Sequence, residues 1–123
     1  MTKILKADFG QFTFLDDHTV VATANDGVNI DGEKVQYAIN LIEQRLPGDY
    51  AIILERKSDY SVVPVEVYTI FSNLERLKAL AIVRYSTHEF LPDNMEQRIS
   101  RKKIEKFTSI SDAHDWINSI FDQ

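Results

Sequence analysis

The stretch KSDYSVVPVE, Lys57 to Glu66, sets Ser58, Asp59 and Ser61 where an apolar run gives way to a helical pattern. A serine at such a junction has three chemistries open to it. It can accept a phosphate, because unpaired N–H groups and the helix dipole favour negative charge at a helix N-terminus. It can act as a nucleophile, but that needs an adjacent base, and no His or Lys pattern nearby supplies one; Lys57 is close in sequence only. Or Ser58, Asp59 and Ser61 can bond nearby backbone in a turn or cap, which explains these residue types most simply. His88 and Glu89, in THEFLPD, lie beyond a strand end, where open α/β sheets bind ligands, and are the second candidates for a polar contact. The three histidines, His18, His88 and His114, fall in a turn, after a strand and on a terminal helix. No two stand at i, i+4, so no metal site is expected. RISRKKIEK gathers Arg98, Arg101, Lys102, Lys103 and Lys106, a potential attractor of acidic partners or anionic head groups, but Glu96 and Glu105 dilute it toward an ordinary solvated face. Gly27 and Gly32 do not make a dinucleotide fingerprint, so no cofactor is expected. These residues do not add up to a nameable reaction, and no catalytic residue is assigned.

Composition narrows the function classes further. A chain of 123 residues suits one domain and one core. With 44% hydrophobic and 27% charged residues, it reads as globular, not disordered or fibrous. A net charge of −5 repels phosphate backbones, and the basic cluster is too small to reverse that, so nucleic acid is not an expected partner. There is no cysteine, which removes disulfides and thiolate chemistry. MTKILKADFG lacks the apolar centre of a signal peptide, and no stretch approaches the roughly 20 apolar residues of a spanning helix. The cytoplasm is the simplest expected location.

The elements that must position the candidate residues follow from periodicity. QFTFL and TVVATA, joined through Asp16-Asp17-His18, predict an antiparallel hairpin. DGEKVQYAINLIEQRLPG carries Val35, Ala38, Ile39, Leu41, Ile42 and Leu46 at helical spacing, with Asp31 as N-cap and Pro47-Gly48 as stop. YAIILE is a continuous apolar run, expected of a central strand covered on both faces. Pro64 opens a second helix with Val67, Ile70, Phe71 and Leu74 as its buried stripe. Ala79 to Val83 predicts another buried strand, and LPDNMEQRISRKK a polar third helix with Asp93 and Glu96 spaced as a capping box. IEKFTSI fits an edge strand, and SISDAHDWINSIFD a terminal helix with Ala113, Trp116, Ile117, Ile120 and Phe121 inward behind a Ser109 or Ser111 cap. The order β-β-α-β-α-β-α-β-α predicts a single α/β domain, with a mixed, mostly parallel sheet of about five strands and about four helices.

That order, the strand YAIILERKSDYS running into a helix begun by proline, and the closing FTSISDAHDWI resemble the SpoIIAA-like branch of STAS domains, named for sulfate transporters and anti-sigma-factor antagonists. The resemblance spans nearly the whole chain and rests on element order and on positions such as Phe107, Ala113 and Trp116. It implies a STAS-like fold and a non-catalytic regulatory or protein-interaction module with a protein partner. In the antagonists a serine after the third strand is phosphorylated to block partner binding. Ser61 falls near that place, within DYSVVP where the family has an Asp-Ser pair followed by a small residue. Comparison of SpoIIAA-like proteins with lipid-carrying CRAL-TRIO domains implies an alternative, a carrier or sensor of an apolar small molecule held between helices and sheet. Tyr68, Phe71, Trp116 and Phe121 would line such a pocket, although core packing accounts for the same aromatics. A small hydrolase or transferase using Ser61, His88 or Glu89 is the third reading. A homodimer through a sheet edge or the Tyr68 helix is also compatible with the pattern.

Overall fold

The structure, a computed structural model, describes residues 3–56, 61–85 and 102–122. Its elements are β1 (Lys3–Ala7), β2 (Gly10–Asp16), β3 (Thr19–Ala24), β4 (Asn29–Ile30), α1 (Gly32–Arg45), β5 (Tyr50–Arg56), β6 (Ser61–Val62), α2 (Pro64–Ser72), β7 (Leu77–Arg84), β8 (Lys103–Phe107) and α3 (Ile110–Phe121). Six strands form one sheet in the order β1-β2-β3-β5-β7-β8, and β4 pairs separately with β6. The β1–β2 and β2–β3 pairs are antiparallel, and β3–β5, β5–β7 and β7–β8 are parallel.

The α/β class and the mixed sheet follow the sequence pattern; the counts differ. The main sheet has six strands where about five were expected, because β1 joins it as an edge strand. Its Lys3 and Lys6 interrupt any apolar alternation and leave only weak burial, as edges that must resist further pairing do. The two-residue strands β4 and β6 are too short to carry a period at all. Three helices stand among the described residues; the expected helix over LPDNMEQRISRKK lies largely outside them.

Helices α1 and α2 cover one face of the sheet, and α3 covers the other. Phe12 and Phe14 of β2, Val20 of β3, Ile52 of β5 and Leu80 of β7 pack against Val35, Ile39 and Ile42 of α1 and Val67, Tyr68 and Phe71 of α2. Two crossovers on one face, joining strands added in one direction, are what a consistent crossover hand produces. On the far face Val21, Ala51, Ile53, Ala79, Ala81 and Val83 meet Ala113 and Ile117 of α3. The three sheet alanines there keep the surface shallow enough for α3 to lie close. Burial of each large aliphatic side chain contributes about 1.5–3 kcal/mol, so these two interfaces carry most of the favourable packing.

Caps set the helix ends. Asp31 Oδ1 accepts from the Lys34 N–H at 3.0 Å, as expected, and Ser109 Oγ from the Asp112 N–H at 3.1 Å, which decides between the two expected caps, Ser109 and Ser111. Pro64 occupies the first turn of α2, whose N-cap Val63 offers no side-chain bond. Of the expected α2 stripe, Val67 and Phe71 are buried, Ile70 and Leu74 only partly, and Tyr68 takes their place in the core. At the C-terminal end of α1, the Arg76 guanidinium donates to the carbonyls of Glu43, Leu46 and Gly48, satisfying acceptors that the helix and its stop leave open.

Candidate functional site

A pocket opens between the sheet and the two helices on its α1/α2 face. Gly10 and Phe12 of β2, Ala22 and Ala24 of β3, and Ile52 and Leu54 of β5 line it from the sheet side; Val35, Ala38, Ile39 and Ile42 of α1 and Val67, Tyr68 and Phe71 of α2 line it from the helix side. It encloses about 80 Å³. Small side chains at Gly10, Ala22, Ala24 and Ala38 leave that volume unfilled, because close packing elsewhere prevents the surrounding groups from collapsing into it. Toward the C-terminal ends of β3 and β5 the lining changes character: Lys34 and Arg56 contribute cationic groups, and among the described residues no Asp or Glu lines the pocket. Ligands of open α/β sheets commonly bind at that edge.

The β4–β6 pair straps this end. Asn29 aligns with Ser61 and Ile30 with Val62, and both Ile30 and Val62 line the pocket. The Ser61 N–H donates to Val28 O and the Val63 N–H to Ile30 O, each at 2.9 Å. Glu66 Oε1 of α2 accepts from the Gly32 N–H of α1 at 2.8 Å, so one helix caps the start of the other. Ser61 is exposed, and its Oγ donates to Asn29 Oδ1 at 2.7 Å. It neither caps α2 nor touches a base in the described contacts: it ties the strap together. Ser58 and Asp59 lie outside the described residues, as do His88 and Glu89.

The structure divides the four aromatics expected to share a ligand pocket, Tyr68 and Phe71 on one face of the sheet and Trp116 and Phe121 on the other. Tyr68 lines the α1/α2 pocket, edge-on to Phe71 with ring centroids 5.7 Å apart. Trp116 is on the other face of the sheet, tilted against Phe107 at 5.6 Å, among the residues around α3. The pairing of Tyr68 with Trp116 is therefore corrected: α3 crosses to the far face, and the sheet stands between them. His18 and His114 gather elsewhere again, around the β2–β3 turn. His114 Nε2 is 2.7 Å from Asp16 Oδ2, His18 Nε2 is 2.9 Å from Asn118 Oδ1, and the His18 ring stacks on Phe121. This cluster fastens the turn to α3. Burial opposes the charge on Asp16, but the His18 N–H and the His114 ring outweigh it, and the carboxyl stays below its ordinary range.

A polar cluster that the sequence reading did not single out occupies the C-terminal edge on the α3 face. Glu55 of β5 is 8% exposed, accepts from Thr23 Oγ1 of β3 at 3.0 Å and from the Tyr85 hydroxyl at 2.6 Å. The hydrogen bond to Glu55, then burial and the Glu55 charge, push the Tyr85 phenol up to about 12. The available signal was a carboxylate ending the otherwise apolar run YAIILE; its partners come from other strands, and only pairing aligns them. Likewise the small residues that make the pocket were visible in GQFTFL and TVVATA, but nothing local says that they face α1.

No family model, curated protein or solved structure matches this chain. No helix among the described residues is long and apolar enough to cross a membrane.

Proposed function

We propose that this chain is a non-catalytic binding module, a carrier or sensor of a small apolar molecule held between helices α1 and α2 and the sheet. The observation that carries the reading is the pocket itself: an apolar space in an otherwise closely packed interior, opening at the strand edge where α/β sheets take ligands. A void lined by aliphatic and aromatic groups stays dry and gains contacts when an apolar guest enters. The test is xenon binding, followed through amide shifts of Ala22, Ala38 and Leu54 in wild type and in Ala22→Leu, whose added side chain fills the pocket. Saturable shifts in wild type that vanish in the variant support the reading. Equal responses in both, or none in wild type, remove it.

A second reading, a regulatory partner-binding module of STAS-like type, is favoured by the exposure of Ser61 on the strap that joins the starts of α1 and α2. A negative charge at Ser61 would replace the hydroxyl donor to Asn29 and stand close to the helix N-termini. Partner retention by wild type and Ser61→Ala but not by Ser61→Glu supports a charge-sensitive contact there. Equal retention by all three removes it.

A further inference from the structure

We infer that the guest of this pocket is a short-chain carboxylate, its hydrocarbon tail beneath α1 and its carboxylate at Lys34 and Arg56. The inference rests on the pocket being a ligand site and adds the chemical class of the ligand. Two observations carry it. First, among the described residues the charged groups of the lining are of one sign: Lys34 and Arg56 contribute, and no carboxylate does. A neutral guest would leave these cations without a role in its recognition, and an ammonium guest would be repelled by both. Second, the two cations sit at the same end of the pocket, Lys34 in the first turns of α1 and Arg56 as the last residue of β5, while the remainder of the lining is almost entirely apolar. A guest that satisfies both parts has an anionic end and a hydrocarbon end.

Neither cation is idle. Lys34 Nζ lies 3.6 Å from Asp31 Oδ2, and Arg56 already interacts within the protein. Both nevertheless have the donors to serve a second acceptor, three on an ammonium and five on a guanidinium, the latter in a fork that matches a carboxylate. The Asp31 pair is about a third exposed and 3.6 Å long, so water screens it and a bound anion can share the ammonium.

Volume sets the chain length. The pocket's 80 Å³ is too little for a long acyl chain. Beside an apolar cavity of about 150 Å³ that holds the six carbons of benzene, this space takes about three carbons, beyond which a tail must run out of it. Each methylene added within that limit should lower Kd about fourfold, following the transfer free energy of a buried methylene. The expected preference is therefore for butyrate over acetate, with little further gain at hexanoate.

The experiment titrates the full-length chain with acetate, propionate, butyrate, hexanoate, butanol and butylamine at fixed ionic strength, reading amide shifts around the pocket. Wild type, Lys34→Gln, Arg56→Gln and Ala22→Leu are compared. The expected result is a roughly fourfold fall in Kd per methylene up to butyrate, and butyrate at least tenfold tighter than butanol. Each charge-removing variant should weaken butyrate at least fivefold and leave butanol unchanged. If Arg56→Gln does not fold, Lys34→Gln, whose side chain is about a third exposed, carries the same comparison. Butanol binding as tightly as butyrate overturns the carboxylate assignment and leaves the apolar pocket standing. Tighter binding of butylamine does the same. No response to any probe, with wild type indistinguishable from Ala22→Leu, overturns both.

Discussion

Tyr85→Phe isolates the polar cluster at the strand edge. The substitution keeps the ring and removes one hydroxyl, leaving Glu55, 8% exposed, with Thr23 as its remaining side-chain donor in that cluster. A hydrogen bond to a charged group contributes about 1.5–3 kcal/mol. Tyr85 is itself 56% exposed, so water reaches the site and replaces part of what is lost. The expected cost is about 1–2 kcal/mol, or about 3–8 °C in Tm for a domain of this size. Chemical denaturation of wild type, Tyr85→Phe, Thr23→Val and the double variant measures it, and the shared acceptor should make the two effects non-additive by at least about 0.5 kcal/mol. The pH dependence gives an independent reading. The phenol is raised from 10.0 to about 12, the hydrogen bond to Glu55 being the largest cause. A group raised on folding contributes fully below its unfolded value and loses that contribution as pH climbs through the folded one. The gap between wild type and Tyr85→Phe should thus be constant up to about pH 10 and close toward about pH 12. A cost under about 0.3 kcal/mol, or a gap unchanged at pH 11, would refute the argument that Tyr85 holds a buried carboxylate.

Two further predictions concern the frame around the site. At Gly10 an added Cβ would collide with the Thr23 carbonyl oxygen, whereas at Gly48 it would meet nothing within 4 Å. Gly10→Ala should therefore cost about 2–3 kcal/mol in thermal or urea unfolding and Gly48→Ala far less; equal costs would contradict the β2–β3 approach. Asp16 is held below its ordinary 3.8 despite burial, by the His18 N–H and the His114 ring. Its contribution is present above that value and lost as pH falls through the lower folded one, so Asp16→Asn should be less stable than wild type by about 1 kcal/mol at pH 6, with the difference shrinking only as pH falls below 3.8. A difference independent of pH would assign the loss to packing instead.

Much of the frame was legible. The hairpin through Asp16–His18, the Asp31-capped helix, the apolar strand at Tyr50, the proline-started α2 and the Ser109-capped α3 all follow from local periodicity and cap chemistry, which act within a few residues. Strand β1 was not legible, because lysines interrupt its alternation and only Leu5 and Ala7 pack, partly buried, against the core, too few to make a period. The β4–β6 strap escaped for a different reason: its hydrogen bonds join residues 32 or 33 apart, and two residues make no period.

The sequence by itself determined the longer central strands and the three described helices, where those helices begin, and that a chain without cysteine has no thiolate. Only the tertiary structure decided which face each helix covers. That choice put Tyr68 in a pocket and Trp116 behind the sheet, and brought Thr23 of β3 and Tyr85, just past β7, to the carboxylate of Glu55 on β5. The physical reason is the range of the forces that write each level. Caps and amphipathic stripes are set by neighbours a turn away, whereas a void under Ala22 or a second donor for Glu55 exists only where residues far apart in the chain are brought into register.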